Sequence, residues 1–288
     1  MEPLHAFFAL LTSNPVGRFV MMIAPIGFIV ALLRLLFFSR KIQPDGFRWK
    51  AIRNELVFAA INTSLTGFFL GGLTALLNKY HLIQLNHEPA RWWTVLLEYA
   101  VYFVLFDTWF YWWHRLMHIG WFYTLVHKIH HFSTSPNILT TFSVSPLESL
   151  VNGGFLSLFT AAVVVHDQSL PFMGLTTILM GFYVHSGYEF LPRWWNKTWL
   201  TKWFITATFH DQHHKYFRWN FGGYTTVWDR ICGTMRPKYE ADFDQIKARV
   251  NATALQPASL TVVAILVVAF TAMATLWSMG FVFRPSLL

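Results

Sequence analysis

Nine of the thirteen histidines in this 288-residue chain fall in four groups. They read His114-Arg-Leu-Met-His118, His127-Lys-Ile-His130-His131, His185, and His210-Asp-Gln-His213-His214. Residues three and four apart share one face of a helix, with Cβ atoms ~5–6 Å apart. His114 and His118 can therefore converge on one metal ion, and each H-x-x-H-H triplet can bring up to three imidazoles to one site or bridge two. Neutral imidazole suits iron, zinc, copper and nickel, whereas magnesium and calcium take oxygen ligands. Eight or nine imidazoles exceed what a single tetrahedral ion accepts, so the pattern points to two metals, and a metal pair favours redox chemistry. The isolated His5, His81, His87 and His166 read as ordinary polar residues.

Two carboxylates share faces with these groups. Glu189 follows His185 by four residues and Asp107 precedes His114 by seven. Both are expected either as ligands or as acceptors of the imidazole N–H groups that fix ring orientation. Asp211, beside His210, is a further candidate for the second role. The single cysteine, Cys232, excludes an internal disulfide framework and any cysteine-built zinc or iron–sulfur site.

The elements that must position these residues are apolar. Of the chain, 55% is hydrophobic, 18% aromatic and only 12% charged, against roughly 25% charged in a soluble domain. Runs at 19–38, 56–77, 92–113, 147–165, 170–190 and 260–283 each approach the ~20 residues that a membrane-spanning helix needs. The fourth and fifth are separated only by His166-Asp167-Gln168-Ser169 and read as a helical hairpin that need not cross fully. The first run carries no cleavage pattern and is expected to stay in the mature protein.

The basic stretch from Arg193 to Arg249, the loop Arg115–Pro146 and the segment 40–53 all fall on one side, which the positive-inside tendency makes cytoplasmic. The net charge of +8 (22 Lys and Arg less 14 Asp and Glu) thus marks loops and lipid headgroup contacts rather than nucleic-acid binding. Trp92-Trp93, Trp112-Trp113 and Trp194-Trp195 read as interfacial anchors. The expected fold is all-α: one integral-membrane domain over 1–288, a bundle of about four to six membrane helices capped on the cytoplasmic side by the histidine-rich region at about 107–234.

The order and content of the motifs resemble the membrane-bound fatty acid hydroxylase and sterol desaturase superfamily. Asp107-x-x-x-Tyr111-Trp112-x-His114-Arg115-x-x-His118 is similar to its first motif. His127-Lys128-x-His130-His131, the glutamate of Ser145-Pro146-Leu147-Glu148, and His185-Ser-Gly187-Tyr188-Glu189 resemble the middle ones. His210-Asp211-x-His213-His214-x-x-Phe217-x-x-Asn220-Phe-Gly222, with Trp228-Asp229-Arg230-x-x-Gly233-Thr234, resembles the last. Glu189, where some members carry a histidine, is similar to the sterol-modifying branch.

The resemblance implies a membrane-bound di-iron oxygenase that uses dioxygen and two electrons to hydroxylate or desaturate an unactivated C–H bond of a lipid, sterol-like or fatty-acyl. It implies two metal ions, iron or zinc in its place, held by His114, His118, His127, His130, His131, His210, His213 and His214, with His185 as a ninth ligand. Asn220 then joins Asp107, Glu189 and Asp211 as a support for the imidazoles. The substrate is expected to enter sideways from the bilayer, past a tunnel with Gly153, Gly154 and Gly181 in its lining. No dinucleotide fingerprint or cysteine cluster is present, so electrons are expected from an external electron-transfer protein or reductase. A bacterial inner membrane or the endoplasmic reticulum fits such a multi-pass chain. Two other readings use the same residues, a zinc-dependent non-redox lipid enzyme and a divalent-metal transporter.

Overall fold

A computed structural model describes residues 41–43 and 49–250. The expected runs at 19–38 and 260–283, and His5, lie outside the described residues. Nearly all regular structure is helical: α1 (Trp49–Lys79), α2 (Trp92–Met117), α3 (Pro146–Ala162), α4 (Leu170–Val184), α5 (Ala207–Tyr216), α6 (Val227–Ile231) and α7 (Tyr239–Val250). Two-residue strands β1 (Leu85–Asn86) and β2 (Val165–His166) pair in parallel and tie the α1–α2 connection to the α3–α4 turn.

Helix length decides which of these elements can cross a bilayer. Among the described residues only α1 is both long and apolar enough. Helices α3 and α4 have 17 and 15 residues, so they rise only ~25 and ~22 Å, short of the ~30 Å hydrocarbon core. They are joined by the short segment 163–169, but α3 packs chiefly on α1, and α4 on α5 and the turn Ile138–Thr141, rather than on each other as the expected hairpin would. Helix α2 is long enough at 26 residues, but Glu98, Asp107 and its many Trp and Tyr residues reduce its apolarity. The expected count of four to six crossings thus comes down, within the described residues, to one helix that meets both criteria.

Local chemistry sets the helix starts that matter for the site. Ser145 caps α3 by accepting from the Glu148 N–H at 3.1 Å, with Pro146 in the first turn. Thr206 caps α5 in the same way, accepting from the Phe209 N–H at 3.1 Å. Helix α5 is polar in sequence yet buried from Ala207 to His214, which is possible only if its side chains find partners inside.

A core of Tyr102, Phe106, Phe155, Phe159, Val165, Met173 and Tyr224 joins α2, α3, β2 and α4 to the loop that follows α5. Two of the glycines expected along a tunnel, Gly153 and Gly181, are sites of close packing. A Cβ on Gly153 would stand 2.8 Å from Leu70 of α1, and one on Gly181 would stand 2.6 Å from Thr141.

Candidate metal centre

All nine grouped histidines come together, in two adjoining sets. His114, His118, His127, His131 and His213 form one, and His130, His185, His210 and His214 the other. Within each set the facing ring nitrogens lie within 4.8 Å of one another. Each H-x-x-H-H motif serves both sets. His127 and His131, four apart, enter the first set while His130 enters the second; His210 and His214 enter the second while His213 enters the first.

The carriers differ. His114 lies in the last turn of α2 and His118 just beyond it. The 210–214 triplet is on α5, but the 127–131 triplet is not on an α-helix. It bridges a π-helical turn, Tyr123–His127, and a 3₁₀ turn, His130–Phe132, an irregular run of the kind often found at functional sites. His185 closes the C-terminus of α4. Eight of the nine rings are buried and His118 is half-buried.

Ring orientation shows what these rings are arranged to do. His114 Nδ1 meets the Phe221 carbonyl at 2.8 Å, His213 Nδ1 the Trp219 carbonyl at 2.8 Å, and His185 Nδ1 the Gly181 carbonyl at 2.8 Å. His127 Nδ1 lies 2.8 Å from the buried Glu148 carboxylate. A carbonyl oxygen only accepts, so Nδ1 of His114, His213 and His185 carries the proton and the Nε2 lone pair of each points inward.

The inward Nε2 atoms then face one another. The pairs are His114–His127 at 3.0 Å, His118–His213 at 3.1 Å and His131–His213 at 3.0 Å in one set. In the other they are His130–His185 at 3.3 Å, His185–His210 at 2.9 Å and His210–His214 at 3.2 Å. Lone pairs brought this close repel unless a cation lies among them. The separations suit nitrogens that share a first-row ion with bonds of ~2.1 Å. The residues present therefore fit two transition-metal ions.

Burial first, then the neighbouring imidazoles, pushes His127, His131, His210, His213 and His214 well below their ordinary titration range, and burial does the same to His130. These rings are neutral at physiological pH, the form that binds metal.

The carboxylates expected behind the rings are engaged elsewhere. Asp107 accepts from the Tyr224 and Thr225 N–H groups, both at 2.9 Å, and from the Thr225 hydroxyl. Glu189 accepts from the Thr208 N–H at 2.9 Å and its hydroxyl at 2.7 Å, which fastens the first turn of α5. Asp211 accepts from the Gln43 amide at 3.1 Å. Asn220, at φ +64°, donates to the Phe209 carbonyl at 2.9 Å and accepts from the Arg236 N–H at 2.8 Å. Three of these four brace backbone, because a buried carboxylate or amide satisfies itself with whatever N–H or C=O the fold delivers.

That bracing reaches the histidines indirectly. Asn220 sits between Trp219 and Phe221, whose carbonyls hold His213 and His114. Asp229 accepts from the Phe221 and Gly222 N–H groups at 2.9 and 2.7 Å and from the Thr234 hydroxyl at 2.7 Å. Thr234 in turn meets Tyr111 of α2 at 2.9 Å.

Glu148 is the carboxylate that stands behind a ring, and the sequence reading gave it no role. Its signal was the Ser145-x-x-Glu148 capping pattern. Glu55 was also missed: buried on α1, it accepts from Ser133, from Asn137 at 2.5 Å and from Thr140 at 3.2 Å, so it secures the loop that follows His131. The carbonyl acceptors of Trp219, Phe221 and Gly181 have no residue-type signal at all.

A cavity of about 700 Å³ opens beside His118, lined by Arg115, Ile119, Tyr123, Phe217, Arg218, Phe221 and Thr234.

The model of a family described as "Fatty acid hydroxylase" matches residues 99–234. Methylsterol monooxygenase 1 of Danio rerio is 31% identical over 214 residues, covering 72% of this chain and 71% of that protein. Its Gallus gallus counterpart is 31% identical over 200 residues, 67% of this chain and 65% of that protein. Cholesterol 25-hydroxylase of Homo sapiens is 33% identical over 155 residues, 53% of this chain and 56% of that protein. The chain spans between about half and about seven tenths of the length of these relatives. No solved structure matches it.

Proposed function

The chain belongs to the fatty acid hydroxylase and sterol desaturase superfamily, and from that premise we propose that it is a membrane-bound di-iron oxygenase that oxidises an unactivated C–H bond of a sterol-like lipid. The observation that carries the reading is the convergence of nine Nε2 atoms in two sets, with His114, His185 and His213 held from behind by backbone carbonyls. The relatives' names supply the substrate class, since they are a methylsterol monooxygenase and a cholesterol hydroxylase.

Two iron ions in these sets supply the redox chemistry that activates dioxygen; zinc fits the same nitrogen donors. The chain supplies the rest. His114, His118, His127, His131 and His213 hold one ion, and His130, His185, His210 and His214 the other. The carbonyls of Phe221, Trp219 and Gly181 keep the proton on Nδ1 of His114, His213 and His185, so the Nε2 lone pairs stay directed inward. Glu148 stands behind the His127 ring, its carboxyl 2.8 Å from Nδ1. Asp229 and Asn220 fix the loop that carries two of those carbonyls. Electrons come from a separate carrier protein.

Membrane placement follows from α1 and from the outer faces of the other helices. Val57, Ile61, Leu65 and Phe68 on α1 and Leu96, Leu97, Val101 and Val104 on α2 are exposed, which suits contact with lipid. A multi-pass arrangement, as the apolar runs of the sequence suggest, would put the histidine region on the side of the basic segments, the cytoplasmic side.

The test is elemental analysis of detergent-purified protein, followed by turnover of a sterol with reductant. About two iron or zinc ions per chain and a product that requires both iron and dioxygen are expected. Product formed equally well under nitrogen would replace this reading with non-redox lipid chemistry. Metal well below one ion per chain after iron supplementation would end both readings.

A further inference from the structure

Helices usually end on glycine when the residue after the last turn takes a positive φ, because a Cβ there is crowded. Helix α5 ends instead on Phe217, at φ +64° and ψ −29°, with its N–H on the His213 carbonyl at 2.8 Å. A bulky residue in this region is a conformational outlier, and strain of this kind persists where surrounding structure or function requires it. The position of the ring supplies the reason. Its centroid lies 4.7 Å from that of His131, tilted by 37°, and 6.4 Å from Tyr123. On its other side it lines the cavity beside His118.

That cavity runs to the metal-binding rings. Of the five histidines in the first set, His118 alone is half-buried, and it shares the cavity wall with Phe217 and Phe221. Phe221 lies 5.1 Å from His118, ring to ring. Arg115 and the exposed Arg218 line the same cavity, so small anions are drawn towards it. Without the Phe217 ring, the face of His131 becomes a second wet side of the first set.

We infer that Phe217 is the shield that confines access from this cavity to the edge of His118 and keeps water and anionic chelators off His131 and the first metal ion. The inference rests on the metal-binding reading above. The conformational cost of a phenylalanine at this backbone position is offset by exclusion of solvent from the ligand cage.

The experiment uses full-length protein in detergent, loaded with zinc and challenged with EDTA, with zinc release followed by a colorimetric indicator and the thermal midpoint of the loaded protein measured in parallel. Phe217→Gly removes the ring and relieves the backbone, so its midpoint should equal or exceed that of the wild type. Zinc release should nevertheless be about tenfold faster or more, the scale on which residues behind metal ligands act. Phe217→Leu keeps the bulk and should release zinc nearly as slowly as the wild type.

A residue that only stabilises the fold would lower the midpoint and the zinc retention together. Should Phe217→Gly fail to fold, Phe217→Asn is the substitute, since asparagine tolerates the left-handed region. Release at the wild-type rate from a folded Gly or Asn variant overturns the inference, as does a Leu variant as leaky as Gly. A wild-type protein that holds no zinc condemns the metal-binding reading itself, a different and distinguishable failure.

Discussion

Helix α2 carries two histidine–carboxylate clusters, one near each end, and only one of them is built for metal. Sixteen residues, or ~24 Å of helix, separate Glu98 from His114. At the Glu98 end, His166 Nδ1 meets the Glu98 carboxylate at 2.7 Å and Nε2 meets the Asn86 amide at 3.0 Å. Glu98 also accepts from the His166 N–H at 3.0 Å and from the Ser169 hydroxyl at 2.5 Å, and His87 pairs with Asp167 at 2.6 Å. Each ring nitrogen of His166 has a conventional hydrogen-bond partner. At the His114 end the outward Nδ1 atoms of His114, His185 and His213 have carbonyl partners, while the inward nitrogens face each other at 2.9–3.3 Å. The direction of the lone pairs, rather than the number of histidines or their burial, separates a metal centre from a polar fastener.

The comparison breaks most visibly on metal content. The double variant His130→Ala, His213→Ala removes one nitrogen from each set and is expected to lose most of both ions, whereas His166→Ala keeps the wild-type complement. Elemental analysis of the purified proteins decides the matter. A His166→Ala protein as poor in metal as the double variant would erase the distinction between the two ends.

A smaller effect sharpens it. Glu148→Gln keeps the size of the side chain behind His127 Nδ1 but removes its acid group, and the expected loss of metal affinity is about 10–100-fold. The corresponding change at the other end, Glu98→Gln, leaves affinity where it was. Competition against a graded series of chelators measures both. Equal affinities for wild type and Glu148→Gln would mean that the Glu148 contact contributes nothing to the ligand.

The sequence made the metal sites legible and their supports much less so. Histidines three and four apart announce a shared face whether the backbone is α-helical, as at 210–214, or a π turn followed by a 3₁₀ turn, as at 127–131. Which set each ring joins was not legible, because it depends on how α5 and the 123–132 turns meet. Asp107 and Glu189 were misjudged for a related reason. A carboxylate inside an apolar run advertises a need for donors but not their identity, and those of Asp107 come from residues 117 and 118 positions away. The break between α3 and α4 could be seen in the four polar residues 166–169, whereas the number of crossings could not, since helices of 15 and 17 residues look like spans until their ends are fixed.

Acid should separate the ends further, by way of the metal-free protein. His127, His130, His131, His210, His213 and His214 have folded-state pKa values well below the ordinary histidine value, while the unfolded chain titrates near ~6.5. Above that pH neither state binds the extra protons and the metal-free fold has its full stability. As pH falls below it, the unfolded state takes up protons that the folded cage refuses, so stability drops. Asp229, which burial raises to about 6, works the other way. Its folded form is protonated before the unfolded one, which adds stability as pH falls through 6, and the buried carboxyls of Glu148 and Glu189, also raised by burial, act in the same sense, but the rings that refuse protons outnumber the carboxyls. Thermal midpoints of metal-free protein should fall between pH 7 and pH 5, more steeply than those of a His130→Ala, His213→Ala variant. A flat profile would show that the rings are not buried in the metal-free protein.

The smallest effect is expected at the fastener itself. Glu98→Gln leaves the carbonyl-type oxygen that His166 and Ser169 address but removes the charge that strengthens those hydrogen bonds. The side chain of Glu98 is 13% exposed, so water replaces only part of what is lost. A hydrogen bond to a charged group contributes roughly 1.5–3 kcal/mol and one to a neutral group about 1 kcal/mol. The expected cost is therefore about 1–2 kcal/mol, read as a modest fall in the thermal midpoint with the metal-to-protein ratio unchanged. Helix α2 connects the two ends, but Glu98 itself supplies no ligand to the metals. If Glu98→Gln lowered the metal ratio in step with stability, the β1–β2 junction would have to be counted among the elements that hold His114 and His118 in register, and the two ends of α2 would form a single cooperative unit.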